Sequence, residues 1–289
     1  MKILSIGEII WDVYPDRRVI GGAPLNFAAH CALCGAESAL LSAIGDDPLG
    51  EESVQALADF GVRTDYVQRN SLPTGQCTVT LDASGVPSYC VLRDVAYDRI
   101  AVSDELAGRI SSEQFDAVYF GTLIQREQAS GRALREIVRK CRFETVLCDV
   151  NLRPGCYDAD SVAFCMEHAT VLKVSMEEES ALRLLAGYAP SGEDVQSVAE
   201  AICEKYANIE TVLLTLGGDG SFAYEAKSRQ AYRQEAMGDT VASTVGAGDS
   251  FAAAWLTARL AGEPIGACMK KAAEISGFVV AHAEAVPKY

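Results

Sequence analysis

Thr145-Val146-Leu147-Cys148-Asp149-Val150 is a short, mostly apolar run, and it is one of a series. Residues 117–120, 170–174 and 211–216 have the same character. Helical patterns at 128–141, 161–168, 177–186 and 195–206 separate or follow them, and two more helices are expected at 250–260 and 265–282. Buried strands alternating with helices predict an α/β sandwich with a largely parallel central sheet. In such sheets ligands bind beyond the carboxyl ends of the strands.

Towards the N-terminus the same rhythm continues. Lys2-Ile3-Leu4-Ser5-Ile6-Gly7 reads as a first buried strand ending in glycine. Residues 8–20 are mixed in character. Gly21-Gly22-Ala23-Pro24 is a turn, and a helix over 25–34 stops at Gly35. A strand at 39–43, a helix at 50–60 and an extended stretch at 62–68 follow. Residues 72–98 break the pattern. There 76–82 and 88–93 flank Ala83-Ser84-Gly85-Val86-Pro87, and their β-branched and aromatic content predicts a two-stranded antiparallel flap. A second, late hairpin is expected from 221–224 and 230–234.

Composition narrows the possible partners. The chain has 289 residues, 49% of them hydrophobic, and a formal net charge of −15. Such a charge repels nucleic acid and anionic membrane, so neither is an expected partner. A site for an anionic substrate would rest on backbone amides and a divalent cation. Ten cysteines in irregular scatter fit free thiols in a reducing cytoplasm. Cys31 and Cys34 lie in an apolar helix pattern beside His30, and with only three histidines a metal set there is poorly supported. Glu8 and Asp12 break the apolar start, so it reads as a strand and not as a secretory signal. No apolar run is long enough to cross a bilayer. The expected location is cytoplasmic.

Ser243-Thr244-Val245-Gly246-Ala247-Gly248-Asp249-Ser250-Phe251 is a small-residue turn opening into the apolar helix at 250–260. Gly246 and Gly248 let the backbone approach a ligand. The unpaired N–H groups of the first helical turn, with the helix dipole, form an anion cradle. Asp249 has the wrong charge to bind phosphate. Either it caps the helix, or it handles a proton beside a phosphate. No G-x-x-x-x-G-K-[ST] is present, and no G-x-G-x-x-G follows the first strand, which sets aside a P-loop enzyme and a hydride-transfer enzyme.

Two segments carry a family resemblance. Gly21-Gly22-Ala23-Pro24-Leu25-Asn26-Phe27-Ala28, with Gly35 and Gly45, resembles the N-terminal signature of the PfkB, or ribokinase-like, carbohydrate kinases. Thr244–Phe251 resembles their C-terminal signature. Asp149-Val150-Asn151-Leu152-Arg153 is similar to their D-x-N-x-R segment, and Thr215-Leu216-Gly217-Gly218-Asp219-Gly220 to their T-x-G-x-x-G segment. Trp11-Asp12-Val13-Tyr14-Pro15 and the final five residues look most like bacterial fructokinases of the family. The resemblance implies a three-layer α/β body at 1–10, 20–71 and 99–289, with a small antiparallel β lid from 11–19 and 72–98 and a possible homodimer through that lid.

It also implies the chemistry. Asp249 would take a proton from a sugar hydroxyl, with Gly246, Ala247 and Gly248 as the anion cradle. Asp12, Gly21, Gly22, Asn26 and Arg153 would bind the substrate, with Arg153 facing the phosphates as a fixed cation. Asn151, Thr215, Gly217 and Gly220 would line the ATP side. Glu178 would support Mg2+ through water. Ser243 stands where the family usually has an aspartate that helps hold potassium, which puts K+ activation in doubt. Ser175 replaces the asparagine of the family's N-x-x-E segment. The expected activity is ATP-dependent phosphorylation of a sugar, with fructose favoured over ribose, 2-keto-3-deoxygluconate or a nucleoside. A sugar-sensing protein that lost transfer is the reading from another class.

Overall fold

The computed structural model describes residues 1–81, 87–238 and 240–289. The chain starts with strand β1 (Lys2–Ile6). The short strands β2 (Ile10–Val13) and β3 (Arg18–Gly21) follow, in the stretch that looked mixed in sequence. Next come α1 (Ala23–Leu33), β4 (Glu37–Gly45), α2 (Pro48–Asp59) and β5 (Val67–Asn70). The flap is β6 (Gly75–Leu81) and β7 (Pro87–Val91). Its expected tip, Ala83–Val86, lies outside the described residues.

The second half alternates as expected, with one addition. Helix α3 (Asp104–Glu113) precedes β8 (Ala117–Phe120). It escaped the sequence reading because only Ala107 and Ile110 are buried, too few for a clear apolar period. Its start is fixed locally, where the Ser103 side chain accepts from the Leu106 N–H at 3.1 Å. The rest runs α4 (Gln128–Lys140), β9 (Thr145–Asp149), α5 (Ala159–His168), β10 (Val171–Ser175), α6 (Glu179–Ala186), α7 (Val195–Lys205) and β11 (Thr211–Thr215). The late hairpin is β12 (Ser221–Glu225) and β13 (Gln230–Gln234), and α8 (Ala247–Leu260) and α9 (Ile265–Val280) close the chain.

Nine strands form the main sheet in the order β13-β12-β11-β10-β9-β8-β1-β4-β5. From β11 to β5 all neighbours are parallel, and the late hairpin adds an antiparallel edge. Alternation along β1 sorts side chains into layers. Leu4 and Ile6 join one core cluster, while Ile3 joins the opposite one with Phe27 of α1, Trp255 of α8 and Met269 of α9. Chain order reverses at β1, with β4 on one side and β8 on the other. This is the topological switch point, where sheets of this kind place their ligand crevice.

The flap read at 72–98, with 11–19 expected in the same lid, is part of a four-stranded sheet, β3-β2-β6-β7. The outer pairings are antiparallel and the central β2–β6 pairing is parallel. Two lone strands would be marginal in water, and β2 and β3 supply the missing support. Side chains tie this sheet to the body at both edges. The Trp11 indole N–H donates to Ser53 of α2 at 2.9 Å, and Arg18 grips Glu52 at 2.6 and 2.9 Å. At the other edge Arg126 donates to the Leu92 carbonyl at 2.6 Å, and Arg93 to the Gly155 carbonyl at 2.7 Å. Among the described residues, no helix is long and apolar enough to cross a membrane.

Candidate active site

Helices α1 and α8 both begin on glycine, Gly22 with φ 106° and Gly246 with φ 82°. Neither helix has a side-chain cap, whereas Asp47, Asp158 and Asp194 cap α2, α5 and α7. The glycines are required by space as well as by φ. A Cβ at Gly22 would lie 2.7 Å from the Glu8 carbonyl, and one at Gly246 would lie 2.5 Å from the Ala285 carbonyl. Ala247 spends its N–H on the Thr244 carbonyl at 3.3 Å, so the amides left for an anion are those of Gly248 and Asp249. This corrects the expectation that the Ala247 amide would join the cradle.

The two helix starts meet through side chains. Asn26 Nδ2 donates to Asp249 Oδ2 at 2.9 Å. A Cβ at Gly21 would lie 3.9 Å from Asn26 Oδ1 and 3.9 Å from Asp12 Oδ2, so Gly21, Asn26 and Asp12 share one small space. Cys77 of β6 is the register partner of Asp12 across the parallel β2–β6 pairing. Burial raises the Asp12 carboxyl, against the opposing pull of Arg153. Arg153 itself is exposed and has no ion pair among the described residues. It acts electrostatically on Asp12, Glu8 and Asp249. That places it on the Asp12 side of the crevice.

Asp249 is pushed up to about 6, first by burial and then by the Asp149 charge, while the Asn26 hydrogen bond, Lys173 and Arg153 pull it down. A carboxyl in that range can exchange a proton near neutral pH. Next to it lies a buried ion pair that the sequence reading missed. Lys173 Nζ meets Asp149 Oδ2 at 2.8 Å, with both side chains almost fully enclosed. Burial works against the Lys173 charge, but Asp149, Glu178 and Asp249 outweigh it and raise the ammonium. A Cβ at Gly248 would lie 3.1 Å from Lys173 Nζ, so the ammonium stands beside the α8 amides. The signal was a lysine inside the apolar run of β10, where an unpaired charge would be too costly.

The remaining expected residues line the crevice on the β9–β11 side. Asn151 turns the chain with φ 38°. Glu178 then accepts from the Leu152 N–H at 2.6 Å and the Ser175 N–H at 3.3 Å, tying the ends of β9 and β10 together. Burial and Asp149 raise its carboxyl. Thr215 ends β11, and its carbonyl accepts from Met176 N at 3.1 Å. Gly217 and Gly220 take φ 58° and 92° around a short 3-10 turn, and the Cα of Gly217 faces open space. Ser175 sits at the end of β10. No cluster of three or more ligand side chains able to hold a metal occurs among the described residues. The oxygen-rich neighbourhood of Asp149, with one oxygen unpartnered, and Glu178 instead suits a hydrated hard cation carried on phosphate oxygens.

The sequence matches the pfkB family carbohydrate kinase description over residues 7–288. The chain belongs to that family. It is a sugar kinase. An ATP-dependent 6-phosphofructokinase from Thermoanaerobacterium thermosaccharolyticum is 25% identical, over 96% of this chain and 86% of that protein. Among solved structures, a fructokinase with bound ATP from Xylella fastidiosa superposes with a TM-score of 0.84 at 20% identity, covering 99% of this chain and 94% of that one. A fructokinase from Vibrio cholerae O395, solved with fructose, ADP and calcium ion, gives a TM-score of 0.81 at 20% identity, covering 99% and 95%. These structures share the pfkB kinase fold of this chain. Relatives with different sugar acceptors leave the acceptor to be argued from the crevice.

Proposed function

We propose that this pfkB kinase transfers the γ-phosphate of ATP to a hydroxyl of a neutral sugar, fructose. The observation that carries this reading is Asp249, held by Asn26 at 2.9 Å at the start of α8 beside the Gly248 amide and Lys173. A base, an anion cradle and a cation then converge on one point. Asp249 accepts the acceptor's O–H proton as that oxygen bonds to phosphorus and the bond to the ADP oxygen breaks. The Gly248 and Asp249 amides and Lys173 offset charge on the moving phosphoryl group. Glu178 would support, through water, a magnesium ion bound with ATP, and that ion would supply further charge neutralisation. Asn151, Thr215, Gly217 and Gly220 form the nucleotide wall.

Charge favours a neutral acceptor. Glu8, Asp12 and Asp249 face the acceptor side, where Arg153 is the free cation among the described residues. An acidic or phosphorylated sugar would meet more negative than positive charge there. The test is ADP formation with fructose, ribose, 2-keto-3-deoxygluconate, fructose 6-phosphate and a nucleoside. Fructose is expected to give the highest kcat/KM. Preference for a sugar acid or sugar phosphate would overturn the neutral-acceptor reading. Tight sugar binding without turnover would favour a sensor.

A further inference from the structure

Behind the crevice lies a group of buried polar atoms that the proposed transfer does not use. Tyr97 Oη, Tyr119 Oη, Arg126 Nη1 and Asn26 Oδ1 are each enclosed and have no hydrogen-bond partner among the described residues. Leaving one buried polar group unpaired is costly, so several together call for an explanation. Three of these side chains, Tyr97, Tyr119 and Arg126, interact electrostatically with one carboxyl. Glu8 follows β1 at the topological switch and is only 3% exposed. It acts on both Tyr97 and Tyr119 and is acted on by Arg126, Arg153 and Asp249. Its Cγ would lie 3.3 Å from a Cβ at Gly22, so it stands directly under the first turn of α1.

One cation that acts on this carboxyl is itself fixed in place. Arg126 is fixed by Asp98 at 2.8 and 2.9 Å and lies with its Cζ 4.9 Å from the Tyr97 ring centre. Its remaining face is turned from Asp98, with the Cys156 thiol as a weak neighbour. Asp98 already balances the Arg126 charge. The inner end of the crevice therefore offers hydroxyl and N–H donors and one carboxyl, without a net positive charge. That chemistry recognises a neutral hydroxyl, which both donates and accepts.

Resting on the sugar-kinase reading above, we infer that Glu8 is an acceptor-binding residue. It reads a hydroxyl at the inner end of the sugar, and the unpartnered Tyr97 Oη and Arg126 Nη1 are the polar atoms left for the same sugar. Asp12 and Asn26 would then hold the outer part of the same molecule. Burial pushes Glu8 up to about 7, with Asp249 adding to the rise and Arg153 and Arg126 opposing it. Acceptor recognition by an ionised Glu8 then strengthens as pH rises through that value. The charged and titratable groups facing it are Asp249 of α8, Arg153 after β9, Arg126 before α4, Tyr97 and Tyr119.

The experiment compares Glu8→Gln and Tyr97→Phe with the unaltered enzyme, on whichever sugar the unaltered enzyme phosphorylates best. Glu8→Gln is expected to raise KM for the sugar about tenfold to a hundredfold, with KM for ATP unchanged, as for loss of a directed polar contact to a substrate hydroxyl. Tyr97→Phe should raise the sugar KM by a smaller factor. In kcat/KM for sugar, the limb near pH 7 should vanish in Glu8→Gln, leaving the lower limb of Asp249. A merely structural role would change melting temperature and both KM values together, with the limb retained. An active enzyme whose Glu8→Gln form keeps its sugar KM and its limb near pH 7 overturns the role of Glu8 alone. An unaltered enzyme that phosphorylates no sugar overturns the kinase reading and this role with it.

Discussion

Asn26 and Asp249 are 223 positions apart in the chain, and their side chains meet at 2.9 Å. The bond joins the first turns of α1 and α8, so the proposed sugar and phosphate sides share one contact. It also opposes the burial that raises Asp249.

The base is tested directly by Asp249→Asn. Amide for carboxylate preserves shape, so the fold and ATP binding should survive. Turnover should fall about 10²- to 10⁴-fold, the usual worth of general base catalysis. Steady-state rates on a preparation with the unaltered circular dichroism spectrum decide it, and near-normal kcat would remove Asp249 from the mechanism.

Asn26→Ala should move the pH dependence. Losing a hydrogen bond to the ionised carboxyl raises Asp249 further above about 6. The base must be ionised, so the rising limb of kcat/KM shifts to higher pH. A profile from about pH 5 to about pH 9 in both proteins measures it. A limb left in place would mean that Asn26 only binds sugar.

Ser243 points to weak potassium dependence. Its hydroxyl accepts from the Val245 N–H at 3.2 Å, and its own N–H goes to the Val280 carbonyl at 3.2 Å. No carboxylate stands at this position. Activity should require magnesium and vary little between sodium and potassium at equal ionic strength. A many-fold rise with potassium alone would show that carbonyls suffice to hold the ion.

The smaller sheet should tighten on sugar. Cys77 of β6 pairs in register with Asp12, so a ligand at Asp12 bears on the sheet. Hydrogen exchange in β6 and β7 should slow with fructose, and ATP hydrolysis without sugar should be slow because the closed sheet excludes water. Unchanged exchange at saturating fructose, with turnover under way, would deny it a closing role.

His30 should give the fold an acid limit. Its Nε2 lies 2.9 Å from the Ala285 carbonyl and its Nδ1 lies 3.0 Å from the Tyr289 hydroxyl. Burial lowers it from 6.5 to about 4. The folded state therefore binds this proton less readily than the unfolded state. Its contribution is complete above pH 6.5 and is lost as pH falls through about 4. The difference corresponds to about 3 kcal/mol. Thermal unfolding of the protein and of His30→Asn across that window should show the slope only in the former.

The sequence by itself determined the alternation of strands and helices, because apolar runs of strand length and 3.6-residue periodicity are local signals. It also showed the glycine-rich helix starts at Gly21–Asn26 and Gly246–Asp249, and the resemblance to the pfkB kinases carried the candidate roles of Asp12, Arg153 and Glu178. The weakly patterned pieces were not legible. β2 and β3 are four residues each and persist only because β6 pairs with β2, and α3 buries too little to show a period. Tertiary structure alone decided which charges meet. Lys173 faces Asp149 across neighbouring strands, and Glu8 gathers Tyr97, Tyr119 and Arg126 from three separate elements. Burial and neighbouring charge set the proton affinity of such groups, and neither is a property of a residue's place in the chain.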